Sequence, residues 1–178
     1  EWEMENRAYI EKQISRIGKE VAKMSHRKPW AQEMTYLMQL PGFGVITGMT
    51  VLAAVGEIQR FESARHLASY SGLTPGLEQS GTKYREKGIT KEGRKELRWA
   101  LVEVAQRAVK SDPLWKHRFQ ELQKRMHRNQ AIVAVARRLL ELVWYVLTRR
   151  QPYRHFSHER IAYKYLTWAW QMDEAARD

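Results

Sequence analysis

The residues with the clearest potential for chemistry are one serine and the cations that follow it. Ser80 stands between Gln79 and Gly81 in a stretch rich in turn-forming residues. A serine hydroxyl can attack a phosphodiester when nearby cations stabilise the developing negative charge. The candidate cations are Lys83, Arg85, Lys87, Lys91, Arg94 and Arg98. A serine in this setting is also typical of a solvated surface loop, so both interpretations stay open at this point.

The charge of the chain favours a polyanionic partner. Its 178 residues include 31 Lys and Arg against 20 Asp and Glu, a formal net charge of +11. Such an excess attracts nucleic acid and makes binding sensitive to salt. The longest apolar run, residues 131–147, is interrupted by Arg137, Arg138 and Glu141, so we expect a buried helix there and no membrane span.

Metal and disulfide chemistry find little support in the composition. Cysteine is absent, which excludes disulfides and thiolate zinc sites and fits a reducing, cytoplasmic compartment. The six histidines show no pair with convincing ligand spacing, so we expect no metal site in this chain. The chain opens on Glu1 with no signal-peptide pattern, and we expect it to be part of a longer protein.

Helical periodicity dominates the chain, and we predict an all-α fold. Helices are expected before Pro29 and over residues 30–39, 45–55, 63–70, 90–110, 130–148 and 158–172, with another beginning at Asp112-Pro113. Thr90 is the expected N-cap of the helix that follows it, with Gly93 in the first turn. On that helix Lys91, Arg94 and Arg98 would share one face. Residues 73–89 are expected to form one long irregular segment, with room for a short hairpin.

The first helix carries a heptad-like seam. Its apolar residues Ile10, Ile14, Ile17, Val21 and Met24 are spaced four, three, four and three. The spacing predicts either a coiled coil over residues 1–28 or an amphipathic helix packed on its own domain.

A glycine-rich turn offers a second candidate for nucleic-acid contact. The turn Pro41-Gly42-Phe43-Gly44 between two helices is similar to the hairpin of helix-hairpin-helix modules, whose backbone N–H groups hold DNA phosphates. Gly42 and Gly44 are therefore candidate DNA-binding residues. A plain helix–helix turn needs glycine for the same steric reason.

An ordered series of motifs carries a family resemblance. In chain order they are Leu40-Pro41-Gly42-Phe43-Gly44, Gly56-Glu57-Ile58, Arg60-Phe61, residues 67–75, Ser80-Gly81, Gly88-Ile89-Thr90-Lys91, Gly93, Leu97-Arg98 and residues 134–139. Across about residues 37–153 the series resembles the C-terminal domain of insertion-sequence transposases of the IS-one-ten type, also called DEDD transposases.

The resemblance implies a DNA recombinase that works with several partners. It implies that Ser80 attacks DNA and forms a phosphoserine intermediate, and that a RuvC-like domain, absent from this chain, carries acidic residues that bind Mg²⁺. It also implies a guide (bridge) RNA, a homo-oligomer (dimer or tetramer) and action in the cytoplasm at the nucleoid. The implied organisation is a linker or oligomerisation helix over residues 1–28, the transposase domain over 30–153 and a helical tail over 154–178. This chain alone is expected to bind nucleic acid without completing strand exchange.

Two other function classes stay open from the sequence. One is a non-catalytic helix-hairpin-helix domain that only binds DNA or RNA. The other is a coiled-coil assembly domain with weak, non-specific affinity for nucleic acid.

Overall fold

The structure is a computed structural model that describes residues 2–80 and 83–177, and the side chains of residues 2–74 and 88–170. Eight α-helices in this part of the chain confirm the predicted all-α class. They are Trp2–Ser25 (α1), Trp30–Gln39 (α2), Val45–Val55 (α3), Ala64–Ser71 (α4), Lys95–Ser111 (α5), Pro113–Gln123 (α6), Arg128–Arg149 (α7) and His158–Arg177 (α8). A short 3-10 helix, Ile58–Arg60, follows α3.

Two strands form the remaining regular structure. Pro75–Ser80 (β1) and Lys83–Ile89 (β2) pair antiparallel between α4 and α5. The register is irregular between Pro75 and Gly76. The segment predicted to be irregular is therefore mostly a hairpin.

Side-chain caps define several helix ends as the sequence predicts. The Ser63 hydroxyl accepts from the His66 N–H at 3.3 Å at the start of α4. At the start of α6, the Asp112 carboxylate accepts from the N–H groups of Leu114 at 3.0 Å and Trp115 at 3.3 Å. Such caps satisfy donors that the first turn of a helix leaves without intrahelical partners.

The core lies where α5 contacts α3 on one side and α7 on the other. Leu97, Leu101 and Val104 of α5 are fully buried, as are Leu139 and Leu140 of α7. Burying one such side chain contributes about 1.5–3 kcal/mol relative to leaving it in water. The stack of α3, α5 and α7 supports the two strands, which lie between α4 and α5 in the chain.

The start of α5 differs from the prediction. Thr90 is not its N-cap and Gly93 is not in its first turn, because the helix begins at Lys95. Lys91 has a left-handed φ of 57° and Gly93 a φ of 146°, neither of which fits a right-handed helix. Lys91 and Arg94 therefore precede the helix, and the predicted shared helix face with Arg98 is wrong.

Four of the five residues of the apolar seam of α1 face away from the rest of the chain, and the fifth, Val21, is half-buried against the core. Ile10, Ile14, Ile17 and Met24 are all exposed, with Ile14 at 63%. The buried residues of α1 are Ala22 and Ser25, near its end. Packing of α1 on its own domain thus accounts for Val21 and not for the four exposed residues.

The last helix is fastened to the first two by polar contacts. The Trp168 Nε1–H donates to the Ser25 hydroxyl at 2.8 Å, and the Tyr165 hydroxyl donates to the Thr35 carbonyl at 2.9 Å. The His26 ring stacks on Trp168 with ring centroids 4.4 Å apart. The helix α8 is therefore held against α1 and α2.

In the part of the chain that the structure describes, no helix combines the length and the apolar character needed to cross a membrane.

Candidate functional site: the serine hairpin and its anchor

Ser80 is the last residue of β1, at the end of the hairpin remote from the helices. In the backbone pairing it lies opposite Lys83, the first residue of β2. The side chains of Ser80, Lys83, Arg85 and Lys87 lie outside the described residues. For these predicted site residues, the structure describes the backbone position on the hairpin.

The base of the hairpin is anchored at the end of α4. The Thr90 N–H donates to the Thr74 carbonyl at 3.0 Å, and the Lys91 N–H donates to the Gly72 carbonyl at 3.3 Å. The Arg94 N–H donates to the Tyr70 carbonyl at 3.1 Å. The segment entering α5 thus satisfies carbonyl groups that the end of α4 leaves without helical partners. We call this set of contacts the hairpin anchor.

Two glycines make the anchor possible. Gly72 ends α4 with a φ of 68°, the left-handed conformation that glycine adopts at little cost. At Gly93 an added Cβ would lie 2.3 Å from the Tyr70 carbonyl oxygen. Only a residue without a side chain lets the two backbones approach this closely.

Arg98 also belongs to the anchor. Its Nη1 donates to the Ser71 carbonyl at 3.1 Å and to the Lys91 carbonyl at 3.2 Å. The side chain is half-buried, so one edge of the guanidinium is already engaged in holding α4 against the loop before α5. By contrast, Lys91 and Arg94 are exposed.

The hairpin anchor is a feature that the sequence alone did not identify. Its signal is the pair Gly72 and Gly93, one on each side of the hairpin, but each glycine alone is typical of any turn or helix end. Arg98 was likewise predicted only as a cation available to phosphate. The pairing becomes evident only when α4 and α5 are placed side by side.

The glycine-rich turn between α2 and α3 is tightly packed. Gly42 has a φ of 80°, and a Cβ on it would lie 2.1 Å from the Val104 carbonyl oxygen of α5. The Gly44 N–H donates to the Thr47 Oγ1 at 3.1 Å, which closes a capping interaction at the start of α3. Gly42 therefore has a packing role, and the N–H of Gly44 is already bonded.

The described residues hold no group of three His, Asp or Glu side chains close enough together to bind a metal ion. The family resemblance assigns the acidic Mg²⁺ site to a RuvC-like domain and not to these residues.

Fold and site together define an all-helical domain with a serine-bearing hairpin inserted between two helices and anchored at its base. Residues 34–120, which include the hairpin and its anchor, match the family model described as Transposase IS116/IS110/IS902 family. Residues 34–120 therefore form a transposase domain of the IS110 type, which confirms the family of the resemblance seen in the sequence.

Known relatives agree with this assignment. The chain is 35% identical over 125 residues to the transposase for insertion sequence element IS1111A of Coxiella burnetii, covering 66% of this chain and 34% of that protein. It is 36% identical over 129 residues to a pilin gene-inverting protein of Moraxella bovis, covering 69% and 39% respectively. It is 30% identical over 112 residues to an IS110 insertion element protein of Streptomyces coelicolor, covering 62% and 28%. The chain thus spans about a third of the length of these relatives.

Proposed function

We propose that this chain is the C-terminal, serine-carrying domain of a DNA transposase and that Ser80 is its nucleophile. The observation that carries the proposal is the place of Ser80 at the end of an anchored hairpin within the family-matched residues 34–120. Relatives named for transposition and for gene inversion support a role in rearranging DNA.

The proposed reaction is a transesterification. The Ser80 oxygen forms a bond to phosphorus while the bond from phosphorus to one deoxyribose oxygen breaks. The serine proton passes to a base, and the departing sugar oxygen takes up a proton. The bond energy is kept in the phosphoserine ester, so a second DNA hydroxyl can later displace the serine and rejoin the strand.

Cations near the hairpin would stabilise the charge that develops on the phosphate. Lys83, Arg85 and Lys87 lie on β2, which pairs with the strand that carries Ser80. Lys91 and Arg94 follow in the segment that forms the hairpin anchor. Fixed cations lower the barrier most when they meet charge that appears only in the transition state.

The proposal includes partners that this chain does not contain. A RuvC-like domain would supply the acidic residues that hold Mg²⁺, as the family resemblance implies. Guide RNA would direct the enzyme to its DNA, at the nucleoid in the cytoplasm. A homo-oligomer is supported by the exposed seam Ile10, Ile14 and Ile17, which has the spacing of a coiled coil and no partner within the described chain.

The central test is a search for covalent protein–DNA adducts. In the assembled transposase with its DNA and guide RNA, Ser80→Ala should abolish adducts that survive denaturing electrophoresis, because no other group replaces the hydroxyl. The matched control is Ser111→Ala, which removes an exposed serine of α5. Adducts that persist at the normal level with Ser80→Ala would disprove the assigned role.

A second candidate function is a helix-hairpin-helix domain that binds DNA or RNA without cleaving it. The turn between α2 and α3 favours it, because the first-turn N–H groups of α3 lack helical partners. This alternative predicts that Ser80→Ala leaves every activity unchanged and that changes in the turn weaken binding. The two functions therefore separate in the same set of variants.

A further inference from the structure

A groove beside the start of α3 has no role in the function proposed above. It is lined by α1, α5 and α8 together with residues 43–47, and has a volume of about 580 Å³. This lies within the roughly 300–1,000 Å³ typical of ligand sites. Its floor includes the buried Phe43, Thr47 and Trp168. The groove joins the family-matched region to α8, which lies beyond it.

Three large aromatic side chains line the groove and remain in water. Trp99 of α5 is 53% exposed, and Tyr163 and Trp170 of α8 are 72% and 66% exposed. A single exposed aromatic residue needs no explanation, but a cluster around one cavity marks a binding surface. Flat rings from two helices suit an occupant that is itself flat.

The groove is also cationic. The described residues that line it include Lys19, Arg107 and Lys164 against one acid, Glu103. The Arg107 Nη1 would lie 3.7 Å from a Cβ placed on Gly44, so the guanidinium stands at the start of α3. The positive end of the α3 dipole adds to this field. The occupant should therefore combine flat groups with negative charge.

We propose that this groove binds a segment of single-stranded DNA, with bases stacked on Trp99 and Trp170 and a phosphate held by Arg107. Cationic grooves lined by aromatic side chains bind unpaired strands in this way with little sequence preference. A duplex keeps its base faces stacked on one another and offers none to these rings. A second copy of the chain is assigned to another surface, since the seam Ile10, Ile14 and Ile17 proposed for the homo-oligomer does not line the groove.

The inference deepens the proposed function, because strand cleavage and exchange are what would supply unpaired DNA. It also gives the predicted helical tail a role, since α8 forms one wall of the groove. The contacts of Trp168 and Tyr165 with α1 and α2 hold that wall in place.

Fluorescence anisotropy of the 178-residue chain with labelled oligothymidine tests the inference. Trp99→Ala and Trp170→Ala should each weaken binding roughly fivefold or more, the loss expected when one base loses its stacking partner. Trp99→Phe should retain most of the affinity, since it keeps an aromatic face. The matched controls are Tyr145→Ala, an exposed aromatic on α7, and Leu166→Ala, an exposed apolar residue of α8 that does not line the groove. Equal losses in Trp99→Ala and the controls would overturn the inference.

Further arms separate the other possible occupants. A matching duplex should bind equally to the native chain and to Trp99→Ala, and a duplex loss as large as the oligothymidine loss contradicts stacking. If the variants weaken oligouridine and leave oligothymidine unchanged, the assignment to DNA is wrong. If Trp99→Ala changes the sedimentation of the chain and not its DNA affinity, the groove is an interface between copies.

Arg107→Gln gives a readout that does not depend on stacking. Loss of one phosphate contact should reduce the slope of log affinity against log salt by about 0.7 for a single strand. The oligothymidine assay measures binding alone and needs no strand cleavage. Failure of the adduct experiment therefore contradicts the nucleophile alone, and an unchanged affinity in both tryptophan variants contradicts the groove alone.

Discussion

At the scale of single residues, Gly93 has a structural role that its type alone does not reveal. Its φ of 146° is strained for any other residue, and a Cβ there would lie 2.3 Å from the Tyr70 carbonyl oxygen. Because that carbonyl accepts the Arg94 N–H, an added methyl group would push apart the hairpin anchor. The position of the serine hairpin thus depends on a residue 13 positions further along the chain from Ser80.

Gly93→Ala should destabilise the chain by roughly 1–3 kcal/mol, through backbone strain and overpacking. The matched control is Gly88→Ala, since nothing among the described residues lies within 4 Å of a Cβ placed on Gly88. Urea unfolding of both variants measures the free energy of unfolding. A Gly93→Ala variant as stable as Gly88→Ala would show that α4 and the start of α5 do not meet in the way described.

At the scale of elements, α8 is attached through a lysine in an unusual setting. The Lys164 ammonium donates to the carbonyls of Met38 at 3.0 Å and Leu40 at 2.7 Å, at the end of α2. Burial lowers the pKa of Lys164 to about 8, with a smaller contribution from the nearby Arg160, while Asp112 acts in the opposite direction. The unfolded chain therefore holds this proton more tightly than the folded one.

This difference predicts that stability rises with pH between about 8 and 10. In that window the unfolded chain binds more protons at Lys164, so raising the pH favours the folded state by up to about 1 kcal/mol per pH unit. Above pH 10 the trend should reverse, because burial raises the pKa of Tyr153 and of Tyr165 and the folded chain then holds the extra protons.

Urea unfolding at pH 7.5, 8.5 and 9.5 measures the effect. Lys164→Met should be less stable than the native chain at pH 7.5, since two carbonyls lose their donor, and its stability should rise less steeply with pH. Lys110→Met, an exposed lysine of α5, serves as the control. A pH dependence in Lys164→Met as steep as that of the native chain would contradict the assignment.

Helix boundaries show where the sequence sufficed and where it did not. Local signals set α3, α4 and α6: Gly56 ends one, Ser63 begins the next, and the Asp112 carboxylate caps the third. The start of α5 was misjudged because the competing signal is not local. Thr90 is a good N-cap by type, but its N–H goes to Thr74 across the hairpin, and tertiary bonds to the end of α4 hold the chain out of the helix as far as Arg94.

The candidate site shows the same difference between features set by local sequence and features set by contacts between distant elements. Ser80 and the cations around it were identifiable as candidates by type and remain predictions, and the order of motifs gave the family. The anchor formed by Gly72, Gly93 and Arg98 and the groove of Trp99 and Trp170 were not, because each set joins residues from different helices. Trp170, for example, is 66% exposed on α8, and its residue type does not predict this exposure.

At the scale of the whole molecule, the formal charge of +11 sets a general attraction to DNA on which any local site is superimposed. A salt titration separates the general attraction from the local contacts, because each phosphate contact with duplex DNA adds about 0.9 to the slope of log affinity against log salt.

Lys91 and Arg94 are exposed at the base of the serine hairpin, whereas Arg98 is half-buried with its Nη1 engaged by two carbonyls. If duplex DNA lies along the hairpin, the double variant Lys91→Gln and Arg94→Gln should lower the slope by about 1.8. The charge-matched control, Lys12→Gln with Arg16→Gln, neutralises two exposed cations of α1 and should change the slope much less. Equal changes in the two double variants would mean that the chain attracts DNA through its net charge alone and that the duplex does not lie at the hairpin.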